Sequence, residues 1–516
     1  MKKIIISTAI AAVFLSVQSC NSTDFDQDVA DIKVTNGDAD FSRYIALGNS
    51  LTSGYRDGAL YIDAQNESYP NIIAQQMKLA GGGEFKLPLM ADNNGGIVVG
   101  ADVIQPTKLY IQSFIKGSPV ISKVDAVPTT SLTAPLSGGF GNMGVPGAKS
   151  FHLVAEGYGN LANVASGKAN PYFVRFASSA STSVLKDAVA QKPTFFSLWI
   201  GNNDVLSYAT SGGVGTNQTG NYNAATYGSN DITDPKVLTA SIKAIVEGMR
   251  AAGASKGVVA NIPSVTDIPF FTTIPYNPVP LTKENAAVIN GGLGRLTPIL
   301  KVLKADDRLQ TLKEGQNPVL IKDESLKDLS KPISFMLKQS GIPAELANFL
   351  GDTFGQARHA TSEDLILLTT KAEIGTPVTL PSTIPATYAN MLNKHGITYP
   401  LDDKYVLTKA EIEEIKTATT AYNAAIKSLA DEYNLAFVDA NAKMVELGKN
   451  SGIKWDGVNY SAKFITGGAF SLDGVHLTGR GYAIIGNEFI KAINAKYNST
   501  LPQVNPNKYS GVTFPK

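Results

Sequence analysis

Ser50, Asp473 and His476 are the residues whose types and spacing suggest chemistry. A serine hydroxyl is a weak nucleophile until a base within hydrogen-bond reach takes its proton, and that base must be oriented by a third group. Asp473 and His476 stand three apart in Ser471-Leu472-Asp473-Gly474-Val475-His476-Leu477-Thr478, a glycine-containing turn that runs into a helix. One loop can therefore supply both an imidazole and its orienting carboxylate. The chain has four histidines, His152, His359, His395 and His476, and only His476 has a carboxylate so placed. Ser50 lies far upstream in Tyr44-Ile45-Ala46-Leu47-Gly48-Asn49-Ser50-Leu51-Thr52-Ser53-Gly54, a short apolar strand that stops at a glycine and presents a serine. In an α/β protein the carboxyl end of such a strand opens into the crevice where ligands collect.

Two further stretches share this character. Asn142-Met143-Gly144-Val145-Pro146-Gly147-Ala148 is a glycine-rich loop whose amides can face an anion, and Trp199-Ile200-Gly201-Asn202-Asn203-Asp204 follows an apolar strand and ends in a polar turn. Each of the four stretches alone is also an ordinary turn, since Gly, Asn and Ser are common turn formers. Together and in this order they resemble the four blocks of the SGNH hydrolases, also called the GDSL lipase/esterase family. Those blocks are Gly-Asp-Ser with a following Leu, Asn-x-x-x-x-Gly, Gly-x-Asn-Asp, and Asp-x-x-His near the carboxyl end. The resemblance implies Ser50 as nucleophile, His476 as general base and Asp473 as its orienter. It implies an oxyanion hole formed by the amides of Ser50 and Gly147 and the side-chain amide of Asn203. Asn49 stands where the family pattern has Asp, which leaves open how the Ser50 turn is supported.

These residues need a scaffold, and the chain supplies one of α/β class. Thr194 to Ile200, Lys256 to Ile262 and Leu435 to Asp439 are nearly continuous apolar runs, as expected for parallel strands covered on both faces. Between them lie amphipathic stripes: Val237, Leu238, Ile242, Ile245, Val246 and Met249 on one face, and Ile412, Ile415, Tyr422, Ile426 and Leu429 on another. Ser68 to Met77 has the pattern of a capped helix, with Ser68 as N-cap and Pro70 in the first turn. A last helix is expected from Gly481 to Tyr497, with Tyr482, Ile485, Phe489 and Ile493 inward. Strands alternating with such helices predict a three-layer α/β/α sandwich around a parallel sheet, flavodoxin-like as the resemblance also implies.

Residues 41–500 are read as one domain enlarged by insertions at about 84–140 and 263–408. The first is rich in turn signals and is expected over the sheet edge, where it can form one wall of the cleft. The second opens with Pro269-Phe270-Phe271-Thr272-Thr273-Ile274-Pro275-Tyr276, just past the end of a strand. Phe270 and Phe271 are expected either to line a pocket for an acyl chain or apolar alcohol, or to pack beneath the insertion. The remainder of that insertion is a lid, a partner-binding subdomain or padding.

At the amino terminus Lys2 and Lys3 precede a short apolar stretch, Ile4 to Val17, and Val17-Gln18-Ser19-Cys20 resembles a bacterial lipoprotein cleavage box. Residues 1–19 are read as a signal peptide. Cys20, the only cysteine, becomes the lipidation site and the anchor to a membrane of the cell envelope, outside the cytoplasm. Residues 20–40 carry six aspartates and one lysine and read as a solvated tether. Residues 501–516 read as a tail.

A net charge of +1 gives no electrostatic footprint for nucleic acid. Histidines are too few for a dedicated zinc site, and no Gly-x-Gly-x-x-Gly opens a helix after the first strand. The expected chemistry needs no metal and no cofactor. The expectation is a serine esterase or lipase acting on carboxylic esters through an acyl-enzyme, with an ester of a small molecule, lipid or glycan as its partner. The alternatives are a carbohydrate O-deacetylase and a binding lipoprotein without turnover.

Overall fold

The computed structural model describes residues 33–514, so the signal peptide and Cys20 lie outside the described residues. β1 (Tyr44–Gly48) is buried along its whole length, and its side chains alternate between two apolar layers. Ile45 and Leu47 point into one layer, while Tyr44 and Ala46 point into the other. β2 (Asn142–Gly144), β3 (Phe195–Trp199), β4 (Lys256–Ala260) and β5 (Ala436–Val438) join it in a single sheet of order β5-β4-β3-β1-β2. Every pairing in that sheet is parallel. The order reverses direction between β1 and β3, which makes the crevice outside their carboxyl ends the topological switch point.

Helices cover both faces. Of the helices after β1, α1 (Ser50–Ser53) is a single turn and α2 (Tyr69–Leu79) packs Tyr69, Ile72, Ile73 and Met77 on one side of the sheet. α3 (Asn203–Thr210) follows β3, and α4 (Pro235–Ala251) covers the opposite face with Leu238, Ile242, Ile245, Val246 and Met249. α5 (Pro269–Thr272) is a single turn after β4. α6 (Lys409–Glu432) lies beside α4, burying Ile412, Ile415, Tyr422, Ile426 and Leu429. α7 (Ala440–Gly448) leads away from β5, and α8 (Gly479–Tyr497) returns beside α2 with Tyr482, Ile485, Phe489 and Ile493 inward. The result is an α/β/α sandwich with a parallel central sheet. Ser68 occupies the N-cap position of α2, but its buried hydroxyl makes no capping bond.

The expected insertions have structure of their own. Residues 84–140 contain two hairpins, Ile97–Val99 with Asp102–Gln105 and Leu109–Ile115 with Ser118–Lys123. Within residues 263–408, Leu300, Ile333, Leu337, Leu346, Leu350 and Phe354 form a separate apolar cluster, the signature of a subdomain.

Both expected ends depart from the sequence reading. The described part of the acidic stretch is docked: Asp38 N–H donates to Tyr497 O (2.7 Å), Thr500 Oγ1 donates to Lys33 O (2.7 Å), and Ala39 is buried. Its aspartates face water while its backbone pairs with the end of α8, so acidity and docking coexist. The tail is likewise held. Leu501 is buried, Val504 N–H donates to Asn487 Oδ1 (2.8 Å), and Ser510 N–H donates to Glu67 Oε1 (3.0 Å).

Candidate active site

Gly48 ends β1 because nothing larger fits. A Cβ there would collide with the Trp199 carbonyl on β3 and with the Thr52 side chain. The chain then turns, and Asn49, 1% exposed, accepts from Leu51 N–H through Oδ1 (3.1 Å), a side-chain cap on α1. Asn49 Nδ2 donates to Asn202 Oδ1 (3.1 Å), so this side chain both caps α1 and bridges to the turn after β3. Ser50 begins α1 at the floor of a cleft of about 420 Å³.

His476 Nε2 lies 2.8 Å from Ser50 Oγ, and His476 Nδ1 lies 2.9 Å from Asp473 Oδ2. Asp473 Oδ1 also accepts from Val475 N–H (2.9 Å), His476 N–H (2.8 Å) and Ser471 Oγ–H (3.1 Å), and Oδ2 accepts from Gly58 N–H (2.9 Å). Burial alone would raise the pKa of this carboxyl. The neighbouring imidazole and the hydrogen bonds outweigh it and hold Asp473 well below the usual carboxylate range. With Asp473 ionised, Nδ1 carries the proton and Nε2 offers its lone pair to the serine. Tyr55 packs against the imidazole, with ring centroids 4.7 Å apart.

Gly147 and Asn203 face the same cleft as Ser50 and His476. Gly147 has φ +79°, a left-handed conformation that turns its amide and favours glycine. Among the described residues its N–H has no protein acceptor. The loop around it is fixed on both sides. Asn170 Nδ2 donates to Pro146 O (2.8 Å), and Asn142 Nδ2 donates to Thr52 O (2.8 Å). Farther along, the Asp204 carboxylate accepts from Ser150 N–H (2.8 Å) and Ser150 Oγ–H (2.6 Å). Asn203 Nδ2 gives one hydrogen to Ala148 O (2.9 Å), and an amide nitrogen has a second to give.

Phe270 and Phe271 are not in this cleft. α5 turns both rings into the core, where Phe271 is 1% exposed and the two rings meet edge to face. Phe270 N–H donates to Gly474 O (2.9 Å), so its backbone supports the Asp473–His476 loop, and neither ring lines the cleft. Pro263 and Ile268 of the same segment border a separate apolar cavity of about 80 Å³ behind Val475. The cleft itself is walled by polar Gln105, Asn170 and Ser207, by Tyr55 and Tyr172, and by apolar Pro171, Leu206 and Val475, with Gln105 contributed by the first insertion. Sequence reasoning assigned no role to Tyr55, Asp57, Gly58, Gln105 or Ser471. Each is a single residue in a turn or strand end, with no spacing that marks it.

A scan of protein-family models and a search of curated proteins both find no match. Among solved structures, an acetyl-xylooligosaccharide esterase from Geobacillus Stearmophilus aligns over 89% of this chain and 96% of its own at 11% identity and TM-score 0.29. An extracellular lipase from Streptomyces rimosus aligns over 88% of this chain and 98% of its own at 10% identity and TM-score 0.29. At that TM-score neither likeness bears on the fold or the chemistry of this chain.

Proposed function

We propose that this chain is a carboxylic ester hydrolase that works through an acyl-enzyme on Ser50. The observation that carries the reading is the unbroken chain from Ser50 Oγ through His476 to Asp473, 2.8 and 2.9 Å long, at the switch point of the sheet. His476 Nε2 takes the Ser50 proton as Oγ attacks the ester carbonyl, and Asp473 stabilises the imidazolium that forms. The developing oxyanion meets the Ser50 and Gly147 amides and the free hydrogen of Asn203 Nδ2. Donors fixed before the reaction make this the larger electrostatic contribution. His476 then protonates the departing alcohol and repeats the transfer with water.

The cleft mixes hydrogen-bonding groups, from Gln105, Asn170 and Ser207, with apolar ones, from Pro146, Pro171, Leu206 and Val475. The former suit a hydroxyl-rich alcohol and the latter an acyl group, so a second, narrower reading is an O-acylated glycan. Phe270 and Phe271 are buried and add nothing to the apolar part of the cleft. The experiment is hydrolysis of a chromogenic ester series from acetyl to long acyl by a chain beginning at Ser22. Activity restricted to short esters supports the glycan reading, and a long-chain optimum supports a lipase. Inertness on every ester supports a binding lipoprotein.

Attachment to the membrane through Cys20 rests on the amino-terminal sequence. Among the described residues no helix is long and apolar enough to cross a membrane. Release of Cys20→Ser from the membrane fraction tests the anchor.

A further inference from the structure

We propose that Asp57 is a positioning residue that fastens the Asp473–His476 loop to the nucleophile side of the cleft. The proposal rests on the reading of Ser50, His476 and Asp473 as a triad. Ser50 and His476 come from opposite ends of the chain, so the serine–imidazole distance depends on how the two loops are held together.

Asp57 and Gly58 lie in the turn that follows α1, and three of their hydrogen bonds reach across to residues 471–473. Asp57 Oδ1 accepts from Leu472 N–H at 3.0 Å. Asp57 N–H donates to Ser471 Oγ at 3.0 Å, and that hydroxyl donates onward to Asp473 Oδ1 at 3.1 Å. Gly58 N–H donates at 2.9 Å to Asp473 Oδ2, the oxygen that also faces the imidazole. Both carboxylate oxygens of Asp473 are thus tied to this turn, one directly and one through Ser471.

The turn is itself braced from behind. Asp57 Oδ2 accepts from the Tyr61 hydroxyl (2.7 Å), the Tyr61 oxygen accepts from Arg56 Nε (2.7 Å), and Arg56 Nη1 reaches Glu67 Oε2 (2.6 Å). Asp57 has φ +54°, a left-handed conformation in which Asp and Asn are enriched among non-glycine residues. Burial and the nearby Asp473 carboxylate both oppose ionisation of Asp57. Leu472 N–H, the Tyr61 hydroxyl and Arg56 favour it. A carboxylate set beside another carboxylate is a poor device for stability alone. Its acceptor geometry toward Leu472 is what the site gains.

The test compares Asp57→Ala, Asp57→Asn and Ser471→Ala in the full folded chain. Two readouts are taken: steady-state hydrolysis of p-nitrophenyl acetate, and the His476 pKa from an NMR titration of its imidazole. Asp57→Ala is expected to lower kcat about a hundredfold with KM little changed, the scale of a small misplacement of a catalytic group. Without its oriented carboxylate the imidazolium is less stabilised, so the acid limb of kcat/KM moves to lower pH. Asp57→Asn keeps an acceptor for Leu472 N–H and recovers most of both. Ser471→Ala shows the same shift in smaller measure.

Unchanged His476 pKa and kcat in Asp57→Ala and Ser471→Ala overturn the proposal, as does equal impairment of Asp57→Ala and Asp57→Asn with His476 unshifted. If wild type is inert on the ester, the hydrolase reading fails on its own and the His476 titration still decides the role of Asp57. If Asp57→Ala does not fold, Tyr61→Phe and Ser471→Ala carry the same comparison.

Discussion

Asn49 and Asn202 are joined side chain to side chain, with Asn49 Nδ2 donating to Asn202 Oδ1 at 3.1 Å. The bond links the turn after β1, which presents Ser50, to the turn after β3, which presents Asn203. It therefore spans the switch point beneath the reacting atoms. Asn49→Ala removes both this bond and the cap on Leu51 N–H, and is expected to reduce unfolding free energy by about 1–3 kcal/mol. Asn49→Asp keeps the cap, and Asn202 can rotate its amide to donate, so the loss is smaller. Urea unfolding of the two variants checks this; an equal loss in both contradicts it.

Asp473→Asn leaves the shape of the loop and removes the charge that fixes the tautomer of His476. By analogy with the same exchange in another serine hydrolase, kcat falls about ten-thousandfold. The pH dependence has a definite sign. Because the folded pKa lies below the ordinary carboxyl value, ionised Asp473 contributes stability that is complete above about pH 4 and lost as pH falls toward the depressed folded value. The stability gap between wild type and Asp473→Asn therefore narrows in acid, and urea melts at descending pH read it. A gap that stays constant contradicts the assignment.

Asn203→Ala removes the bond to Ala148 O and, on the proposed reading, one oxyanion donor. A loss of about a hundredfold to a thousandfold in kcat is expected, with KM nearly unchanged, since the donor acts on charge that exists only in the transition state. Gly147→Ala, which forces a side chain into φ +79°, is expected to damage both kcat and folding. A rise in KM alone for Asn203→Ala would mean that it binds substrate and does not stabilise the oxyanion.

Two histidines outside the cleft add to the loss of stability in acid. Burial, then the nearby Lys149 ammonium, push His152 down to about 3, and burial pushes His359 down to about 4. Both values lie below the ordinary imidazole pKa of about 6.5, so the unfolded chain binds these protons first. The stability they contribute is complete above about pH 6.5 and is lost as pH falls toward 3 to 4. The slope is at most about 1.4 kcal/mol per pH unit for each group. His152→Phe sacrifices the acceptor that holds Lys149 N–H at 3.1 Å but flattens that slope. Denaturation midpoints across the acid range separate the two effects, and an unchanged slope contradicts the account of His152.

The apolar strands and helix stripes were legible because a parallel sheet covered on both faces demands nearly continuous apolar runs, and Ile45–Leu47, Phe195–Trp199 (broken only by Ser197) and Val258–Ala260 are such runs. Strand order was not legible from them. It depends on which edges pair, and nothing in Met143 alone declares that it lies beside Leu47. Ser50, Asp473 and His476 could be read because a glycine-bounded serine and an Asp-x-x-His turn have local signatures. For Phe270 and Phe271 the sequence left pocket and core open, because an apolar pair past a strand end serves either equally well. Only the single turn of α5 decides which way the rings face. Asp57 was invisible for the opposite reason: a lone aspartate in a polar turn has no pattern, and its partners Ser471 and Leu472 are distant in sequence.

The most direct test of the account is covalent. An alkyl fluorophosphonate reacts with a serine oxygen only when a base has activated it, so intact mass and peptide mapping report the nucleophile without any knowledge of the substrate. The account predicts one adduct on the peptide carrying Ser50, absent in Ser50→Ala and formed far more slowly in His476→Ala. A wild-type protein that takes up no phosphonate, or labels on another serine while Ser50→Ala labels equally, would contradict it.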